Sequence, residues 1–74
     1  MMGAMEFSVT FDMVWNEKNQ FVPRYRVYAM QHKAPVNTPR GELLGTCETE
    51  REMYALCDKI RAERPEFADG EVYR

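Results

Sequence analysis

One histidine, two cysteines and no apolar run near the ~18 residues of a membrane-spanning helix are the shortages that first bound this 74-residue chain. Nucleophilic catalysis needs a nucleophile beside a base that is itself oriented, and the lone base, His32, stands in a proline-containing loop. Cys47 and Cys57 are too few for the disulfide framework of a small secreted domain. A helix starting near residue 50 would carry Cys57 roughly 10 Å along its axis, away from Cys47. Both therefore read as free thiols, with Cys57 a small core residue. A zinc site needs four ligands, and Cys47, Cys57 and His32 form none of the short paired spacings that supply them. Glycine-rich phosphate loops, nucleophile elbows and HExxH elements are also missing. The chain reads as non-enzymatic, with no catalytic residue, metal or cofactor.

Residues 1–5 lack the basic start and apolar stretch of a signal peptide. They read as a disordered or cloning-derived N-terminus, and residues 6–74 as one cytoplasmic domain without a membrane partner. A core this small supplies only ~3–5 kcal/mol, which makes docking on a partner or on a second copy an ordinary source of stability. The net charge of −2 opposes wholesale nucleic-acid binding but conceals an asymmetry. Lys18, Arg24, Arg26, Lys33 and Arg40 fall in an acid-free stretch from residue 18 to 41, while most acids lie beyond it.

What is present is clear alternation. Phe7, Val9, Phe11, Met13 and Trp15 share one side of a strand, with Glu6, Ser8, Thr10, Asp12 and Val14 on the other. The polar run from Asn16 to Gln20 separates it from a second strand, Phe21 to Gln31. Pairing Trp15 with Phe21 sets Phe11 opposite Tyr25, Val9 opposite Val27 and Phe7 opposite Ala29 on the buried side. The same register sets Asp12 opposite Arg24, Thr10 opposite Arg26 and Ser8 opposite Tyr28 on the outer side. Residues 32–39, with two prolines, read as a loop. Gly41 to Cys47 offers a third strand, with Gly45 as a bulge or close-packing site.

Thr49-Glu50-Arg51-Glu52 has the form of a capping box and predicts a helix start. Met53, Leu56, Cys57 and Ile60 recur at helical spacing on one stripe, and Pro65 ends the run. Asp69-Gly70 is a turn signal, and residues 71–74 form a short last strand or fray. The predicted fold is α+β: an antiparallel sheet of three strands, or four, with one amphipathic C-terminal helix on one face. That helix is expected to cover Phe7, Val9, Phe11, Met13, Trp15, Tyr25 and Val27.

Leu44-Gly45-Thr46-Cys47-Glu48-Thr49 running into a helix resembles the Leu-Gly-Thr-Phe-x-Thr-x-x-Glu-Ala stretch of the three-stranded arm-type DNA-binding domains of phage integrases and of plant ethylene-response-factor domains. The resemblance covers residues 40–64. It implies DNA contacts from the open sheet face, through Arg24, Arg26 and Arg40. Cys47 stands where those families have an aromatic residue, and the basic excess they carry is missing. In size and charge the chain also resembles phage-encoded accessory proteins, including inhibitors of host defence such as anti-CRISPR proteins.

One helix covers only one side of a sheet, which directs functional expectation to the other. The expected function is a protein-interaction module that binds a partner, or itself as a homodimer, through Val22, Arg24, Arg26, Tyr28 and Met30. The alternative is nucleic-acid binding through Arg24, Arg26, Lys33 and Arg40.

Overall fold

A computed structural model describes residues 5–32 and 41–74. Strand β1 spans Met5–Trp15, β2 Phe21–Gln31 and β3 Leu43–Cys47; helix α1 spans Glu50–Glu63; a 3-10 turn at Pro65–Phe67 leads to the short strand β4, Val72–Tyr73. The expected disordered start over residues 1–5 lies outside the described residues except for Met5, which pairs with Gln31. The loop read over residues 32–39 lies outside them except for His32.

The hairpin adopts the register that alternation predicts, from Phe7 opposite Ala29 to Trp15 opposite Phe21. Its turn is held by Asn16. The Asn16 side-chain oxygen accepts from the amides of Lys18 at 2.9 Å and Gln20 at 3.0 Å, while the Asn16 amide donates to the Gln20 carbonyl at 2.9 Å. Asn19 takes the left-handed conformation, φ 61°, which asparagine tolerates better than most residues.

The sheet runs β3-β2-β1-β4. Strand β3 pairs antiparallel with β2, and Leu44 is the extra residue of a bulge, because Val27 faces Gly45 while Tyr28 faces Leu43. Strand β4 settles the end of the chain as a fourth strand. It runs parallel to β1, with Phe7 opposite Val72 and the Phe7 amide donating to the Glu71 carbonyl at 2.9 Å.

The helix begins where the capping box predicts. Thr49 accepts from the Glu52 amide at 3.1 Å, and its hydroxyl donates to the Glu52 carboxylate at 2.9 Å, so Glu52 closes the box on the hydroxyl. Met53, Cys57 and Ile60 are buried from the helix stripe, against Phe7, Val9, Val27 and Ala29 of the sheet and Phe67 of the 3-10 turn. The Phe7 and Phe67 rings stack with centroids 4.9 Å apart. Arg61 locks this end: its guanidinium lies 5.3 Å above the Phe7 ring and its Nε donates to the Gly70 carbonyl at 2.8 Å.

The helix does not reach as far as alternation suggests. Phe11, Met13 and Trp15, expected beneath it, are exposed, and Tyr25 is only half-buried. The reason is length. Fourteen helical residues extend ~21 Å, whereas eleven strand residues extend ~36 Å, so the far half of the hairpin projects as an uncovered arm.

Two glycines meet their neighbours closely. A Cβ on Gly45 would come 2.6 Å from Leu56 Cδ2, the tip of a rotatable, half-buried side chain. A Cβ on Gly70 would come 2.9 Å from the Met5 carbonyl oxygen, 3.1 Å from that of Phe67 and 3.2 Å from the Phe7 ring, none of which can yield cheaply. Gly70→Ala should therefore lower unfolding free energy by about 1–3 kcal/mol in urea titrations, and Gly45→Ala by less. Equal losses would contradict this account of the packing.

Candidate interaction surface

The arm consists of Phe11–Trp15 and Phe21–Tyr25, and its side chains divide cleanly between two faces. On the helix side, cross-strand pairing stacks three rungs. Phe11 and Tyr25 have ring centroids 4.9 Å apart, Met13 lies opposite Pro23, and Trp15 and Phe21 have centroids 5.0 Å apart. Relative exposure is 54% for Phe11, 40% for Met13, 67% for Trp15 and 55% for Phe21. Four large apolar side chains thus form one contiguous, uncovered patch. Toward the core it ends at Tyr25, over whose ring the Arg74 guanidinium lies at 5.8 Å. At the tip, Trp15 joins Asn16, Glu17, Lys18, Gln20 and Glu48 around an open hollow.

The opposite face carries Val22, Arg24, Arg26, Tyr28 and Met30 in one row, as the register requires, and all five are half-buried. Its centre is Asp12. Arg24 donates to both Asp12 oxygens, at 3.0 and 2.6 Å, and Arg26 adds a bond at 3.3 Å. Those hydrogen bonds, Arg24's foremost, hold the Asp12 carboxyl below its ordinary value and raise the Arg24 guanidinium. Of the cations in the nucleic-acid alternative, Arg24 and Arg26 are thus joined to one carboxylate. Lys33 and Arg40 lie outside the described residues.

Glu6, buried on that same face of β1, meets His32 Nδ1 at 3.0 Å. Alternation ends at Gln31 and puts His32 in the following loop, so the sequence carries no cue to Glu6 as its partner. Cys57 is fully buried and Cys47 half-buried, and desolvation pushes both thiols up. Among the described residues, no group of three or more His, Cys, Asp or Glu side chains could hold a metal ion, and no helix is long and apolar enough to cross a membrane.

The aromatic arm is the feature that sequence reasoning misplaced, since it put these side chains in the core. The signal lay in length, since a ten-residue alternation from Glu6 to Trp15 is longer than a helix between Thr49 and Pro65 can cover.

The Asp12 cluster has a pH signature. Because Asp12's folded value is depressed below 3.8, its contribution to stability is fully present above that value and is lost as pH falls through the lowered one. Asp12→Asn should therefore flatten the fall of the denaturation midpoint below pH ~4. A residual slope should remain from Glu66, which is lowered by its own amide and by Arg64. An unchanged slope in Asp12→Asn would exclude the cluster as a contributor.

No protein-family model matches this chain, and no curated protein or solved structure is significantly similar to it.

Proposed function

We propose that this protein is a non-enzymatic interaction module that binds a protein partner through the aromatic arm of its hairpin. The observation that carries the reading is the contiguous patch of Phe11, Met13, Trp15 and Phe21, left bare by a helix too short to reach it. Taking an aromatic side chain at ~200 Å², the exposed parts of the four amount to roughly 400 Å², the size of a functional patch on a small monomer. Aromatic residues are enriched among the few side chains that dominate binding energy. A rim of Glu17, Lys18 and Glu48 around the tip supplies polar contacts of both signs.

The row of Val22, Arg24, Arg26, Tyr28 and Met30 is the competing surface for the same activity, and mutation separates the two. Trp15→Ser and Phe21→Ser each remove an exposed apolar side chain and half of the terminal rung, and should lower stability by no more than about 1 kcal/mol, leaving the core end folded. As affinity baits in lysate of the source cells, both should lose the captured partner, with affinity at least about tenfold weaker. Tyr28→Glu and Met30→Glu baits should retain it. The reverse pattern would move the binding surface to the outer face.

Nucleic-acid binding through Arg24, Arg26, Lys33 and Arg40 would set phosphate on two guanidinium groups whose charge the Asp12 carboxylate already offsets in part. A labelled duplex and a labelled single strand, both unbound at low salt, would remove that reading.

A further inference from the structure

The hydrogen-bonding direction of β1 alternates, and two contacts set its phase. The Asn16 amide donates across the hairpin to Gln20, so even-numbered residues of β1 face β2. The Phe7 amide donates the other way, to Glu71 beside β4. Strand β4 covers only Phe7 and Ser8. Phe11, Met13 and Trp15 therefore turn their amides and carbonyls to an edge that no described strand pairs. The corresponding edge of β2 is blunted, because Pro23 faces outward there and has no amide to offer. Between Phe11 and Trp15, by contrast, β1 has no proline, lysine or bulge, and its one charge, Asp12, is already paired with Arg24 and Arg26 on the outer face.

Resting on the proposed arm-binding function, we infer that the occupant of this edge is a second copy of the same chain, its β1 pairing antiparallel with the first about a two-fold axis at Met13. Strand length and charge together favour that register, since centring on Val14 would leave only the two Met13–Trp15 pairs, and four main-chain hydrogen bonds, before β1 ends at Trp15. Centring on Asp12 would set the two Asp12 carboxylates opposite each other, which like charges disfavour. Centring on Phe11 would drive Trp15 of one copy against Phe7 of the other, where β4 already sits. Centring on Met13 pairs Phe11 with Trp15 and Met13 with itself, and places Asp12 opposite Val14.

Six main-chain hydrogen bonds then join the copies, two for each of the three residue pairs. The Tyr25–Phe11 and Trp15–Phe21 stacks become a single row across both copies. Edge pairing leaves the helix-side face of both arms exposed, and a contact of three residue pairs buries well under the ~800 Å² per partner of a standard interface. The dimer is accordingly of the weak, transient class.

Sedimentation velocity of the intact protein over a micromolar to millimolar series tests this, with amide exchange measured by NMR at both ends. The wild type should pass from monomer to dimer, and exchange at the Phe11, Met13 and Trp15 amides should slow at least about tenfold at high concentration. Met13→Pro removes one edge amide and no bond to β2, so it should keep the circular dichroism of the fold while weakening dimerisation at least tenfold. A wild type that stays monomeric, or a dimer whose three amides exchange no more slowly, overturns the inference even if Met13→Pro fails to fold. A dimer lost in Trp15→Ser but retained in folded Met13→Pro overturns it too, because the contact then runs through the face. None of these outcomes overturns the arm as a binding surface, which rests on the Trp15→Ser and Phe21→Ser baits.

Discussion

The unbroken pairing of β1 with β2, from Met5 opposite Gln31 to Trp15 opposite Phe21, is the constraint on which the rest of the structure depends. It sends alternate side chains to opposite faces over a length that the single helix cannot span. Near the open end of the hairpin, α1, β3 and β4 converge on Phe7, Val9, Val27 and Ala29, and the core closes there. Toward the turn the same alternation continues with nothing above it. Core and arm are one strand pattern, divided by where the helix ends.

That division explains why each end is built as it is. The core end is held by close fits: Gly45 beneath Leu56, Gly70 against the Met5 carbonyl and the Phe7 ring, Arg61 bridging Phe7 and the last turn. The arm has no second layer and relies on cross-strand contacts. These are the Asn16 network at the turn, the paired aromatic rungs on one face and the Asp12–Arg24–Arg26 cluster on the other. A two-stranded ribbon is marginal in water by itself, so these local contacts matter more in the arm than similar ones would over the core.

The two faces of the arm differ in how far their chemistry is already satisfied. On the outer face, the charge that would attract an anion meets the carboxylate of Asp12. On the helix-side face, aromatic surface meets solvent, and beside it the β1 edge keeps donors and acceptors that no described strand engages. Apolar area and backbone groups that no described strand engages lie together at Phe11, Met13 and Trp15, which is why the proposed binding surface is the helix-side face of the arm and not its outer face.

Alternation and helical spacing alone define the hairpin and its register, the capping box at Thr49, and the helix stripe through Met53, Cys57 and Ile60; of the two roles open to Gly45, the structure takes close packing against Leu56 and puts the bulge at Leu44. Hairpin, box and stripe each depend on residues near in the chain or on a period that one strand or helix imposes. Alternation also places Val22, Arg24, Arg26, Tyr28 and Met30 correctly in one row, because a strand's two-residue period carries that information. The packing of distant elements is what makes β4 parallel to β1, brings Glu6 to His32, and leaves Phe11, Met13 and Trp15 bare. Those outcomes turn on where distant elements end in space, and alternation reports which face a side chain takes, never whether anything lies above it.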